Sequence, residues 1–485
     1  MTTHSLATGR GKLILLLLCT VAFLDFVDAS IVNIALPAIQ HDLDLSVQSL
    51  QWVPSAYLLT YGGFMLLGGR AADLLGRRRI LVTGTVVVGI SSALGGIAET
   101  SELLIGARLA QGAGAALMLP AALSLLTTTF PEGADRNKAM GVWGGAAGLA
   151  SAAGVFFGGL LSSGPGWRWV FYVNTPVCLI VLAAIPLLLP RDVPASRKRG
   201  FDVLGTALAT GGMLLLVYGL VKAPDQGWGD VRTVLQLSVA AVMLGAFVIN
   251  EKLHRNPLVP LSIFRVRGLA AANVTQLIAV AGFLAMFFFI TLYMQNVLGF
   301  DEFEAGTAFL PVCLGVGIAA GIASKLFGRI GTRPVIVTGA LLSGAGVLLL
   351  ARIPVDGSYL TDLLPGLVIM SLGLGAVFVG VTTAANAGVP AEQAGLAAAL
   401  LNTSQQLGGA LGLAILTAIA TSRTKDELAA RVPPSEALTS GFQRALFVGG
   451  VLLIVAAIVG LRTANSRGEP DKPDITEPAE PVLTV

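Results

Sequence analysis

The stretch FLDFVDASIVNIALP, residues 23–37, places two carboxylates, Asp25 and Asp28, inside a run that is otherwise apolar from Leu13 to Leu36. Three residues apart, both project from one face of a helix. Asp25 is twelve residues into that run, about 18 Å at 1.5 Å per residue, close to the middle of a bilayer core about 30 Å thick. Asp28 lies one turn further on. Every other acid falls in a connection or at a helix end on the boundaries given below. A carboxylate near the bilayer centre costs about 2.5–3.5 kcal/mol on insertion scales, so it should face a polar cavity and is a functional site by default. Desolvation and a neighbouring like charge both disfavour an ionised carboxyl, which suits such a pair to bind and release a proton. The alternative is a structural carboxylate, locked by Ser30, Asn33 or an arginine.

Arg108 is the one basic residue well inside an apolar run. It enters from the opposite end of its helix, about 7–8 Å below the start, at nearly the depth of Asp28. The two are expected to pair in one conformational state, where the arginine favours proton release. The amides Asn273, Gln276, Asn402, Gln405 and Gln406 in otherwise apolar helices are expected either to line a substrate cavity or to hydrogen-bond helix to helix. Phe283, Phe287, Phe288 and Phe289 offer an aromatic surface to an apolar or cationic ligand, or simply pack, which is the reading preferred. Trp52, Trp167, Trp169 and Trp228 fall near one predicted membrane interface, where indoles anchor.

These residues need helices that cross a membrane, and the composition supplies them. Of 485 residues, 54% are hydrophobic and 12% charged, with a mean hydropathy of +0.80, against roughly 25% charged in soluble domains. Fourteen apolar segments are expected, at 13–37, 50–70, 79–98, 103–127, 137–161, 168–190, 203–222, 233–250, 269–296, 304–326, 334–352, 363–386, 395–421 and 443–462. The first resembles a signal peptide but lacks a small-residue cleavage site, so it is read as a retained helix. With an even number of spans the termini share a side. Most of the 31 Lys and Arg residues fall in connections on that side, so both termini are expected to be cytoplasmic. The net charge of +3 gives no reason to expect a nucleic-acid partner. Cys19, Cys178 and Cys313 have neither disulfide nor metal spacing. The proline-rich, acidic segment after Arg467 reads as a disordered tail.

The chain also repeats at half its length: GRRRILVTG at 76–84 has a relative in GTRPVIVTG at 331–339, the trace of a two-half transporter with substrate between the halves. GGRAADLLGRRR at 68–79 resembles the loop between helices 2 and 3 of the major facilitator superfamily. LDFVDASIVNIALP in the first helix, RLAQGAGAALMLPA at 108–121, WRWVFYVNTP at 167–176 and LYMQNVLGFDEFEAGTAFLP at 292–311 are similar to its fourteen-helix drug:proton antiporter family. The resemblance runs from about residue 12 to 463. It implies an all-α polytopic fold, with six-helix halves at 1–200 and 257–465, two inserted helices at 201–256 and a cytoplasmic tail at 466–485.

The resemblance also separates the acids, because the family's first-helix aspartate lies five residues before the asparagine; counting back from Asn33 gives Asp28, and Asp25 is additional. It implies proton coupling through Asp28, Asp25 and Arg108. It implies a cytoplasmic latch of Gly69, Asp73, Gly76, Arg77 and Arg78 that stabilises the outward-open state, although positive-inside topology alone accounts for the arginines. Asn33 and Gln111 join the five amides as candidate cavity residues. Two departures stand out. GVFFGG at 154–159 has Val155 where the family's helix 5 signature has proline, although Gly154 and Gly158 keep a small-residue face. In the second half, Gly328 and Thr332 replace the latch residues Asp73 and Arg77.

The expected function is proton-coupled export of an amphipathic drug or antibiotic by a monomer in the cell membrane, with small substrate, protons and lipid as partners and no cofactor. The chain has no GxxxxGK[ST] loop for an ATP-driven pump. His4, His41 and His254 offer no catalytic or metal cluster for an enzyme. Transport of a metabolite such as an amino acid or siderophore, or a non-transporting sensor on the same fold, remain alternatives.

Overall fold

Apolar runs punctuated by caps and glycine turns set the helices. The computed structural model describes residues 6–130, 134–189, 202–254, 257, 259, 261–387, 389 and 394–466. Its α-helices are α1 Gly9–Asp42, α2 Val47–Leu50, α3 Trp52–Leu75, α4 Arg77–Gly96, α5 Ser101–Thr129, α6 Ala134–Ser163, α7 Trp169–Tyr172, α8 Asn174–Leu188, α9 Val203–Gln226, α10 Val231–Leu253, α11 Leu269–Asn296, α12 Glu302–Ala308, α13 Leu310–Ile330, α14 Thr332–Leu350, α15 Leu364–Asn386, α16 Ala394–Ala429 and α17 Pro434–Gly460. Local chemistry starts them. The Thr8 hydroxyl accepts from the Gly11 amide at the head of α1, Thr100 does the same for Leu103 at α5, and Asp301 with Glu304 forms a reciprocal capping box at α12, each satisfying amides that a helix start leaves open.

Eleven helices among the described residues are long and apolar enough to cross a membrane. Three further helices, α3, α6 and α9, have 24, 30 and 24 residues and occupy the remaining expected segments. All fourteen segments are therefore helical, and the protein is an all-α, multi-pass membrane protein. The face of α10 carries Val231, Leu235, Val242 and Leu253, all exposed; such a surface suits lipid and would be an aggregation hazard in water.

The end of the bundle where α1 starts is called here the near end, and the end where it finishes, at Asp42, the far end. Helix α1 packs on α6, α3 and α4 pack on α5, and α4 packs on α8, whereas α11 packs on α16 and α17, and α15 on α13 and α14. Helices α9 and α10 pack on each other, and α9 touches both α3 and α16, with the Thr210 hydroxyl donating to the Gly63 carbonyl at 2.8 Å. Gly154 and Gly158 of α6 lie against Ser30 and Ile31 of α1, where a Cβ would collide with the Ser30 hydroxyl. The close approach expected from those glycines is present; the Val155 side chain lies outside the described residues.

The two helix sets meet along α3 and α16 and again at the far end. There the Gln295 amide donates to the Ile34 carbonyl at 3.1 Å, Asn296 reaches Gln40 at 3.5 Å, and Phe156 of α6 lies edge-on to Phe303 of α12, with ring centroids 6.2 Å apart.

At the near end, Gly76 (φ +107°) and Gly331 (φ +84°) make the single-residue breaks before α4 and α14, a backbone region that glycine alone enters without strain. Beyond α17 the chain runs back along the start of α14. The Thr332 amide donates to the Ser466 carbonyl at 3.0 Å, the Thr332 hydroxyl donates to the Ala464 carbonyl at 2.8 Å, and Arg333 Nε donates to the Thr463 carbonyl at 3.0 Å. This strap occupies the turn where the sequence lacks the charged latch. The tail from residue 467 lies outside the described residues.

Candidate functional site

Five helices converge on Asp28, which is 2% exposed. Its Oδ2 pairs with Nη1 of Arg108 on α5 at 2.7 Å. Its Oδ1 accepts from Gln111 Nε2 at 3.0 Å and from Asn174 Nδ2 of α8 at 2.6 Å. Arg108, 1% exposed, donates from Nε to the Val53 carbonyl of α3 at 3.1 Å and from Nη1 to Gln111 Oε1 at 3.0 Å. Its guanidinium carbon lies 4.3 Å from the centroid of the Tyr57 ring, within cation–π range. Gln111 also donates to the Ser92 hydroxyl of α4 at 2.8 Å. A buried ion pair survives only when its remaining lone pairs and protons are satisfied, and here neutral amides and a backbone carbonyl do so.

Asp25 lies one turn away and is 3% exposed. Tyr57 OH donates to its Oδ1 at 3.0 Å and Tyr61 OH to its Oδ2 at 2.7 Å. Among the described residues no basic side chain is within ion-pair distance of it. The helix spacing makes this division: Asp25 and Asp28 at i and i+3 share a face of α1, Arg108 and Gln111 at i and i+3 a face of α5, and Tyr57 and Tyr61 at i and i+4 a face of α3.

Gly112 sets the distance between α3 and α5. A Cβ there would run into the Tyr57 carbonyl and the Thr60 hydroxyl, and that hydroxyl donates to the Leu109 carbonyl at 2.7 Å. The close approach holds the Tyr57 ring over Arg108. Gly112→Ala is therefore expected to lower stability by about 1–3 kcal/mol through overpacking, read as a lower thermal unfolding midpoint of the detergent-solubilised protein; an unchanged midpoint would mean that the helices can part at no cost.

The expected pairing of Asp28 with Arg108 is thus present, at a common depth. Asn33 is buried away from the pair, its Nδ2 donating to the Ala29 carbonyl at 3.1 Å, and the Ser30 hydroxyl donates to the Phe26 carbonyl at 2.9 Å, so neither locks an acid. Gln111 belongs to the ion-pair cluster. Asn273 accepts from the Ser404 hydroxyl at 3.0 Å and Gln276 donates to Gln405 at 3.3 Å, which join α11 to α16. Asn402 and Gln406 are half-buried on α16. Phe288 and Phe289 are fully buried, and Phe287 stacks on Phe309 at 4.4 Å, so this aromatic run packs.

Of the near-end group, Gly69, Gly76, Arg77 and Arg78 surround the α3–α4 turn, and Arg78 donates to the Leu189 carbonyl at 3.1 Å; the Asp73 side chain lies outside the described residues. Sequence reasoning missed Tyr57, Tyr61, Ser92 and Asn174. A tyrosine pair at i and i+4 within an apolar helix, and a lone asparagine inside WRWVFYVNTP, were the available signals.

Residues 18–413 match the family model described as Major Facilitator Superfamily. The chain is similar to the puromycin resistance protein pur8 of Streptomyces alboniger, 41% identical over 89% of this chain and 87% of that protein. It is also similar to the cephamycin export protein CmcT of Amycolatopsis lactamdurans, 34% identical over 96% of this chain and 95% of that one. Among solved structures, a bacterial homologue of the human lysosomal transporter Spinster, in an inward-facing and unoccupied conformation, superposes with a TM-score of 0.66 at 17% identity, over 94% of this chain and 97% of that one. With the match to the family model over most of the chain and relatives of this identity along nearly its whole length, the protein is a member of the Major Facilitator Superfamily.

Proposed function

We propose that the protein exports amphipathic drugs or antibiotics in exchange for protons, by alternating access, as a monomer in the cell membrane with both termini, and hence the near end, cytoplasmic. The distribution of Lys and Arg supports that orientation, and the resistance and export roles named for relatives along most of the chain support the direction and the cargo. One observation carries the proton: among the described residues Asp25 is buried with no cation in ion-pair distance, beside an acid that has one. An ionised carboxylate in that position is strongly disfavoured, so Asp25 takes up a proton in the closed surroundings and releases it when water or a cation reaches it. Arg108 and Asp28 neutralise each other and shape the site.

The segments 1–200 and 257–465 act as the two moving halves, and 201–256 as an insert on their flank. Asn273, Gln276, Asn402, Gln405 and Gln406 border the substrate path, with Asn33 and Gln111 supporting it from the first half. Gly69, Asp73, Gly76, Arg77 and Arg78 act as the near-end latch.

This reading is tested in a host stripped of its own pumps, challenged with puromycin, cephamycin and matched monovalent and divalent amphipathic cations. Resistance that collapses with the proton gradient is expected. Since Asp28 is already paired, a second positive charge on the substrate would lack a partner and cost several kcal/mol, so monovalent compounds should be exported better. Equal export of the divalent member would overturn the assignment of a single free acid.

A further inference from the structure

The proton site and the second half of the molecule are joined by one side chain. Tyr61 donates its phenolic proton to Asp25 at 2.7 Å, and its phenol faces the side chain of Gln406 on α16. The next residue of α3, Gly62, lies directly under Gln406: a Cβ on Gly62 would be 3.0 Å from the Gln406 Cβ. The contact therefore sits in the seam between α3 and α16, helices of different halves in the proposed division. Tyr57 also donates to Asp25, but its ring lies under Arg108 within the first half.

We infer that Tyr61 is the coupling residue of the transporter, passing the proton occupancy of Asp25 to α16 through Gln406. This rests on the proposal that Asp25 exchanges the proton. A phenol has one proton to donate and an oxygen that accepts. While Asp25 is ionised, Tyr61 must donate to it, and Gln406 can meet the phenol only as a donor, through its amide NH2. When a proton from the aqueous pathway binds Asp25, the carboxyl acquires a donor of its own, and the phenolic proton is free to turn towards the Gln406 carbonyl oxygen. A hydrogen bond between phenol and amide then has to run in the opposite direction, and the amide must rotate or part from the phenol. A local change of charge thus becomes a change in the fit between the halves, at a contact that alternating access has to break. Among the described residues the charged or titratable groups around this switch are Asp28 on the same helix, Arg108 of α5 over the Tyr57 ring, and Tyr57 itself; with Asp28 and Arg108 paired, Asp25 is the one of these whose charge can change.

The test needs no substrate. Spin labels at Leu75 on α3 and Ile330 on α13, both exposed at the near end, report the separation of the halves in proteoliposomes at pH values on either side of neutrality. Wild-type protein is expected to shift its distance distribution with pH. Tyr61→Phe keeps the ring and should reduce the pH-driven population ratio by about tenfold or more, about 1.4 kcal/mol of coupling. Tyr57→Phe, which removes the other phenolic donor to Asp25, should move the midpoint and retain the amplitude. Gln406→Leu should reproduce Tyr61→Phe from the other side of the seam, and the double variant should be no worse than either single one; this arm decides the matter if Tyr61→Phe does not fold. A full pH response in Tyr61→Phe or in Gln406→Leu overturns the inference, as does a loss of amplitude in Tyr57→Phe equal to that in Tyr61→Phe. A wild-type protein that ignores pH instead overturns proton exchange at Asp25, a separate failure.

Discussion

Asp28→Asn is expected to destabilise the protein as well as stop transport. The amide keeps the shape of the side chain but not its charge, and leaves the Arg108 guanidinium, 1% exposed, among neutral partners: the amide oxygen, Gln111, the Val53 carbonyl and the Tyr57 and Phe171 rings. Removing one partner of a buried ion pair costs about 3–5 kcal/mol, because the other charge stays buried, and that is a large part of the 5–15 kcal/mol that typically separates folded from unfolded protein. Adding Arg108→Gln removes the stranded charge. The double variant should regain most of the lost thermal midpoint in detergent and still fail to confer resistance. A single Asp28→Asn variant as stable as wild type would mean that Arg108 finds another counter-charge.

Asp25→Asn should behave in the opposite way, with folding nearly intact and proton-driven transport lost. No cation is stranded, and the amide oxygen can still accept from one of the two tyrosines, so the cost is about one hydrogen bond, roughly 0.5–1.5 kcal/mol. An amide cannot take up the proton. In proteoliposomes, accumulation driven by a pH gradient should fall to the level of empty vesicles, while exchange of labelled for unlabelled substrate at equal concentrations continues, since it requires only the rocking of the loaded carrier. If Asp25→Asn accumulates substrate at the wild-type rate under a pH gradient, the proton is carried elsewhere. The contrast between the two aspartates, three residues apart, follows from their partners: one faces an arginine and the other two phenols.

Hydropathy was sufficient for the helices: all fourteen apolar runs are helical, with 168–190 divided into α7 and α8 and 304–326 into α12 and α13. Depth along the axis was also readable. A rise of 1.5 Å per residue puts Asp28 and Arg108 at one level when counted from opposite ends of their helices, and they meet there. Rotation about the axis was not readable. Helix α1 is buried on several sides, from Ile14 and Leu18 to Ile31 and Leu36, so its apolar residues do not single out the face that meets α3. That face is chosen by how closely the helices approach, which depends on Gly112 and Thr60 touching backbone on the neighbouring helix. The i, i+4 spacing of Tyr57 and Tyr61 could mark a polar spot on α3, but it did not say that the pair would close on Asp25. Asn174 was hidden for a related reason: it lies at the start of α8, where polar residues usually cap helices or meet water, and only the packing of α8 against α1 and α4 brings it to Asp28.

The strap at Thr463–Ser466 bears on how the protein can be handled. A fluorescent or affinity fusion joined right after Leu461 would displace the Ser466 carbonyl from the Thr332 amide and the Thr463 carbonyl from Arg333, loosening the first turn of α14 while every hydrophobic span remained in place. Such a fusion could reach the membrane, show normal expression and still work poorly. Joining the reporter beyond Ser466 keeps those contacts, so two fusions that differ by five residues of native chain can make the same transporter look active in one case and dead in the other.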